Sequence, residues 1–280
     1  MARDKIPSQM HYTANASRPE SPSNEPADDH PPKSSVRIGC SALAVRRAWP
    51  PGEEFSITCG SDSLSVSRYA AGMTGKRPAV ILLHGSRGIE LKPRAYGRYA
   101  DALSAKGIDA YLLRYMTDSD TAALNPKTST QESREAYDTG RFDGWSDTVS
   151  ATVTTILDRL DSSGRVGLLG FSLGGFIAAN TAARDERIAA LAVLYAGMHE
   201  AMAGKVKHMP PMIALHGEAD RNVPIANGKK LIELARSVGA EAEFVPYPDR
   251  SHGFDFSDTD PMTSDAIGRV TRFFQARLAA

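Results

Sequence analysis

Arg165-Val166-Gly167-Leu168-Leu169-Gly170-Phe171-Ser172-Leu173-Gly174-Gly175-Phe176 is the stretch whose reading decides the fold. Its short apolar run, bounded by Gly164 and Gly170, has the pattern of a strand buried on both faces. The run enters Gly170-Phe171-Ser172-Leu173-Gly174, which fits G-x-S-x-G, a sharp strand-to-helix turn with serine at its tip. Glycine is wanted on both sides because side chains two residues before and after the serine would collide. Phe176, Ile177 and the Ala- and Thr-rich run to Arg184 then read as a helix, its positive end aimed at the serine. A bare G-x-S-x-G recurs by chance in Gly- and Ser-containing loops. The rest of the chain has to carry the reading.

Upstream, Glu54–Cys59 and Leu64–Tyr69 alternate as an antiparallel hairpin, with Gly60-Ser61-Asp62 turning between them. Pro78–Leu83 is a buried strand ending at His84-Gly85, Tyr96–Lys106 a helix closed by Gly107, and Ala110–Leu113 the next strand. Met116 to about Gly140 is polar and without period, and is expected to run over the mouth of a site. Asp147–Leu160 carries Val149, Val153, Ile156, Leu157 and Leu160 at helical spacing. Downstream, strands are expected at Ile188–Tyr195, Pro211–Leu215 and Ala242–Tyr247. A helix at Ile225–Val238 is closed by Gly239, and residues 197–209 form a connection rather than a cap domain. Asp260-Pro261 opens a last helix, with Ala266, Ile267, Val270, Phe273, Phe274 and Leu278 on its buried face. Buried strands alternating with helices imply an α/β fold: a mostly parallel sheet with helices on both faces and antiparallel strands at the N-terminal side. Ligands bind such sheets beyond the carboxyl ends of the strands. His84-Gly85, Ser172, Asp220 and the loop at His252 all fall there.

Composition sets the outer bounds. The chain has 280 residues, 41% of them hydrophobic, with Lys plus Arg and Asp plus Glu equal at 33 each. Such balance gives no electrostatic case for nucleic acid or an anionic membrane as partner and points to a small-molecule ligand. Residues 1–35 are rich in Pro, Ser, Asn and acids, and read as a disordered tail before a domain spanning 36–280. Cys40 and Cys59 form no metal-ligand spacing; free thiols in a reducing cytosol are the default, with their pairing left open. With no apolar signal core and no membrane-length segment, a cytoplasmic protein is expected, needing neither metal nor organic cofactor and compatible with a homodimer.

A serine hydroxyl becomes a useful nucleophile when a base takes its proton and an acid orients the base. Four histidines follow Ser172. His199 and His208 sit in the 197–209 connection, and His216 closes an apolar strand before Gly217 as a structural residue. His252, in the Pro- and Gly-marked loop Tyr247-Pro248-Asp249-Arg250-Ser251-His252-Gly253-Phe254, is the candidate base. Asp220, just past a strand, is the favoured acid; Glu218 competes, and Asp249 and Asp255 flank the histidine. An acyl oxyanion needs two backbone N–H donors. Leu173 supplies one; Ser86 is the first choice and Arg87 the second for the other, with His84 bracing their loop.

These pieces resemble the alpha/beta-hydrolases, and within them the dienelactone hydrolase family, over residues 50–279. The motifs are Leu83-His84-Gly85-Ser86-Arg87-Gly88, Gly170-Phe171-Ser172-Leu173-Gly174-Gly175, His216-Gly217-Glu218-Ala219-Asp220 with Val223-Pro224, and His252-Gly253-Phe254. The resemblance implies the alpha/beta-hydrolase fold and raises Asp220 over Glu218 as the acid. The namesake enzymes usually carry cysteine at the nucleophile and an arginine near the catalytic histidine; this chain has Ser172, and Phe256 four residues after His252. That difference points to a serine hydrolase of a small carboxylic ester, thioester or lactone. Two alternatives are a prolyl-oligopeptidase-like peptidase, whose catalytic domains share these motifs but normally carry a propeller, and a catalytically silent binding protein on the same scaffold.

Overall fold

A computed structural model describes residues 53–59 and 62–279. The expected tail at 1–35, Cys40 and its pairing with Cys59, and Gly60-Ser61 of the hairpin turn lie outside the described residues. Eight strands form one sheet: β1 (Glu53–Cys59), β2 (Asp62–Tyr69), β3 (Arg77–Leu83), β4 (Asp109–Leu113), β5 (Ser162–Phe171), β6 (Ile188–Leu194), β7 (Met212–Gly217) and β8 (Ala242–Tyr247). Their order is β1-β2-β4-β3-β5-β6-β7-β8. The pairs β1–β2 and β2–β4 are antiparallel and the rest parallel, as the sequence reading expects.

The helices divide between the two faces. On one lie α3 (Gln131–Leu157), α4 (Leu173–Arg184) and α6 (Ile225–Ser237), packed through Trp145, Val149, Ile177 and Leu231. On the other lie α1 (Pro93–Ser104) and α7 (Pro261–Leu278), packed through Tyr99, Leu103, Val270 and Phe274. The short α2 (Asp118–Ala123) and α5 (Glu200–Ala203) complete the set among the described residues. Gly107 and Gly239 close α1 and α6 with φ of 79° and 85°, the left-handed backbone for which glycine is wanted. On α7, Ala266, Val270, Phe274 and Leu278 are buried, whereas Ile267 and Phe273 are only half-buried.

Much of the polar 116–140 stretch, in which the sequence reading finds no period, is helical: it holds α2 and the start of α3. Thr117 caps α2 in a reciprocal capping box with Asp120, and Thr130 caps α3 through Ser133. What hid these helices is a polar rather than apolar inner face. Fully buried Asp120 accepts hydrogen bonds from Tyr137, Arg141 and Trp145 on α3 and from the Thr117 backbone. Hydrophobic periodicity cannot register a helix whose core contact is a carboxylate. The same helix ends at Leu157, and Leu160, expected on its buried face, is 96% exposed.

Next to Tyr137 on α3, Asp138 is buried, and its Oδ1 has no hydrogen-bond partner among the described residues. Burial, with smaller contributions from Glu135 and Asp120 against Arg134, pushes its carboxyl up to about 7. Between the ordinary value of 3.8 and about 7 the native chain keeps a proton that the unfolded chain has lost, so this group makes stability fall as pH rises through that window. Asp138→Asn removes the penalty. Its stability advantage over the parent is expected to grow from pH 4 to pH 7, reaching about 2–4 kcal/mol in urea unfolding. A difference that stays flat with pH would contradict this.

At the end of the sheet away from the parallel strands' C-termini, Arg68 and Arg77 share Asp109 at 2.5 and 2.9 Å and both reach Asp161. Arg68 and Asp109 are almost wholly buried, so the hairpin is fastened to β4 by paired charges rather than by apolar contact alone.

Candidate active site

Each candidate residue leaves the C-terminal end of a parallel strand: His84 after β3, Ser172 after β5, Asp220 after β7 and His252 after β8. A parallel sheet puts those ends on one edge, so the topology gathers residues up to 168 positions apart.

Ser172 joins β5 directly to α4 with φ 53° and ψ −122°, a conformation costing a non-glycine residue on the order of 1–3 kcal/mol. The surroundings hold it there: its N–H donates to Leu194 O at 3.0 Å, and its carbonyl accepts from Gly175 and Phe176. The glycines on either side serve two different contacts. A Cβ on Gly170 would lie 2.3 Å from Gly174 O, the collision across the turn that the sequence reading anticipates. A Cβ on Gly174 would instead meet Leu83 O at 2.3 Å and His84 O at 2.4 Å, because α4 starts hard against the end of β3.

His252 lies between Ser172 and Asp220. Its Nε2 is 2.9 Å from Ser172 Oγ and its Nδ1 is 2.8 Å from Asp220 Oδ2. The Asp220 carboxylate can only accept, so Nδ1 carries the proton and Nε2 is the acceptor for the serine hydroxyl. Asp220 Oδ1 accepts from the backbone N–H of Asn222 and Val223 at 2.8 and 2.9 Å. Burial works to raise the Asp220 pKa, but hydrogen bonds from His216, His252 and Val223 outweigh it and hold the carboxyl well below the usual range. The competing acids lie elsewhere: Glu218 and Asp249 are exposed, and Asp255 is buried against Tyr99. His216 is buried, its Nε2 2.9 Å from Val223 O and 3.5 Å from Asp220 Oδ2. It is a structural residue, as expected, that also fastens the loop carrying the acid.

The loop after β3 is tied at several points. His84 Nδ1 lies 2.8 Å from Gly85 O, and burial lowers this histidine to about 4, so it is neutral and donates to that carbonyl. Its ring stacks on Tyr115 at 4.2 Å, and Tyr115 Oη donates to His84 O at 2.7 Å. Gly85 N–H donates to Tyr96 Oη at 3.1 Å and is thereby occupied. The next two N–H groups, those of Ser86 and Arg87, make no backbone hydrogen bond among the described residues. Leu173 opens α4, where an N–H has no partner within the helix.

The sequence reading missed the tyrosines behind the site. Tyr96, Tyr99, Tyr115 and Tyr195 are all buried, and helical or strand spacing alone marks such residues as ordinary core. Tyr195, at φ 41°, packs its ring edge-on to His252 with centroids 4.6 Å apart. Phe256 joins this aromatic group through Tyr96 and Phe171. Among the described residues no cluster of His, Cys, Asp and Glu suited to a metal ion occurs.

Fold and site together define an alpha/beta-hydrolase, an eight-stranded sheet with a serine at the strand-to-helix turn. Residues 66–278 match the dienelactone hydrolase family, and the chain belongs to that family. A Methylorubrum extorquens protein provisionally named carboxymethylenebutenolidase is 28% identical over 99 residues, 32% of this chain and 34% of that protein. The alignment thus spans about a third of the curated relative. The crystal structure of a dienelactone hydrolase from Anabaena variabilis superposes with a TM-score of 0.64 at 20% identity, covering 81% of this chain and 99% of that one. Pyrococcus horikoshii acylaminoacyl peptidase superposes at 0.63 with 13% identity, over 83% of this chain but 42% of the peptidase. Among the described residues no helix is long and apolar enough to cross a membrane.

Proposed function

We propose that this chain is a serine hydrolase that cleaves a small carboxylic ester, thioester or lactone through an acyl-enzyme. The observation that carries the reading is the unbroken hydrogen-bonded series Asp220–His252–Ser172, with separations of 2.8 and 2.9 Å, at a serine held in a strained turn. In this mechanism Ser172 Oγ attacks the carbonyl carbon as its proton passes to His252 Nε2. Asp220 stabilises the imidazolium that forms. The N–H groups of Leu173 and Ser86, with Arg87 beside it, take up the charge on the carbonyl oxygen. Collapse of that intermediate breaks the bond to the alkoxide or thiolate, which leaves with the proton from His252. Water then repeats the sequence on the acyl-serine and releases the acid.

The test is hydrolysis of p-nitrophenyl acetate and of a panel of esters, thioesters and lactones by wild type and Ser172→Ala. A loss of at least about 10³-fold in kcat is expected for the variant, together with loss of fluorophosphonate labelling. Retained hydrolysis by Ser172→Ala overturns the proposal, and absent labelling of the folded wild type favours a silent binding protein instead. Cleavage of short peptidyl anilides in preference to every ester would favour the peptidase reading.

A further inference from the structure

We propose that Asp255 and Tyr99 are positioning residues for His252, and that α1 holds the base loop and the oxyanion loop in register through Tyr99 and Tyr96. The inference rests on the reading of Ser172 and His252 as nucleophile and base. After His252 the chain turns through Gly253 at φ 68° into a 3₁₀ turn, Phe254–Phe256. Asp255, in the middle of that turn, is fully buried, and its side chain turns to Tyr99 on α1. Tyr99 Oη donates to its Oδ2 at 2.8 Å, and Arg98 donates to its backbone carbonyl at 3.1 Å. Both residues come from α1. Phe254 and Phe256 on either side pack on Tyr247, Tyr195 and Tyr96, so the turn is clamped by rings, with the polar ties from Tyr99 and Arg98 at its centre.

Tyr96 stands one turn earlier on α1 and takes the Gly85 N–H, which leaves the Ser86 and Arg87 N–H groups as the next donors of the loop. Between the two tyrosines lies Phe171, the residue before Ser172, with ring centroids 5.2 Å from Tyr96 and 5.0 Å from Tyr99. One helix face therefore touches the oxyanion loop, the nucleophile turn and the base loop. Burying a carboxyl costs free energy that an apolar residue would not incur, which is reason to look for a use of it. Burial pushes Asp255 up to about 6 against the opposing effect of Tyr99 and Tyr195, and the groups facing it are Tyr96, Arg98 and Tyr99 from α1 and Tyr195 from the end of β6. The tether fixes the turn three residues from His252, whose Nε2 must stay within hydrogen-bond reach of Ser172. Misplacement of a reacting group by about 1 Å costs on the order of 10²-fold in rate, so partial loosening is expected to cost about tenfold.

The experiment compares Tyr99→Phe, Asp255→Ala, Asp255→Asn and the double variant Tyr99→Phe/Asp255→Ala with wild type in p-nitrophenyl acetate hydrolysis and in the rate of fluorophosphonate labelling. Tyr99→Phe keeps the ring on Phe171 and removes one hydroxyl, so it is the variant that must fold. It is expected to lower kcat and the labelling rate about tenfold with KM changed less than about twofold. Asp255→Ala should match it, and the double variant should be no worse than the Ala variant alone. Asp255→Asn, which still offers Tyr99 an acceptor, should recover most of the rate. Wild-type kcat and labelling in Tyr99→Phe, or a loss confined to KM or to the thermal midpoint, overturns the inference. Activity surviving in Ser172→Ala would instead overturn the reading beneath it.

Discussion

Asp220→Asn is expected to lower kcat for ester hydrolysis by about 10⁴-fold while leaving the fold intact. The size of the effect follows from which oxygen meets which donor. Oδ1 is fixed by two backbone N–H groups, those of Asn222 and Val223, and only an oxygen can sit there. The side-chain amide of the variant must therefore turn its NH₂ toward His252 Nδ1, which in the wild type donates to Oδ2. Two donors cannot face each other, so the imidazole takes the tautomer with its proton on Nε2. That nitrogen then points a proton at Ser172 Oγ and has no lone pair with which to accept one. The backbone hydrogen bonds survive, so circular dichroism and the thermal midpoint should change little. A loss of less than tenfold in kcat would mean that Asp220 does not set the His252 tautomer.

Gly174→Ala is expected to prevent accumulation of folded protein, or to cost more than about 4 kcal/mol in urea unfolding. The added Cβ would stand 2.3 Å from Leu83 O and 2.4 Å from His84 O, contacts that only movement could relieve. Neither atom is free to retreat. Leu83 is paired with β4 and β5 in the middle of the sheet, and His84 O accepts from Tyr115 Oη. Moving α4 instead would draw Leu173 and Ser172 away from the site. Gly164→Ala is the control: its φ of 80° is unfavourable for alanine, but nothing lies within 4 Å of the added Cβ, so a loss of roughly 1–2 kcal/mol is expected. Equal losses in the two variants would show that backbone conformation, not collision, governs both.

Much of this molecule is decided by local sequence. The apolar runs of β3, β5, β6 and β7 are buried on both faces, so their hydrophobicity is continuous and short, and glycines at 107 and 239 mark helix ends by the backbone angle they permit. Alternation of such strands with helices dictates a parallel sheet, and a parallel sheet places every strand-end loop on one edge. That is why Ser172, Asp220 and His252 could be named as candidates before any distance was known. Tertiary structure alone decided what those loops rest on. Helix α3 from Gln131 to the middle of its length is built around the buried carboxylate of Asp120, and Tyr96 and Tyr99 behind the site look in sequence like any aromatic core residues. The physical reason is the same for both. Hydrophobic burial leaves a periodic trace along the chain, whereas a hydrogen bond between residues 156 positions apart, such as that from Tyr99 to Asp255, leaves none.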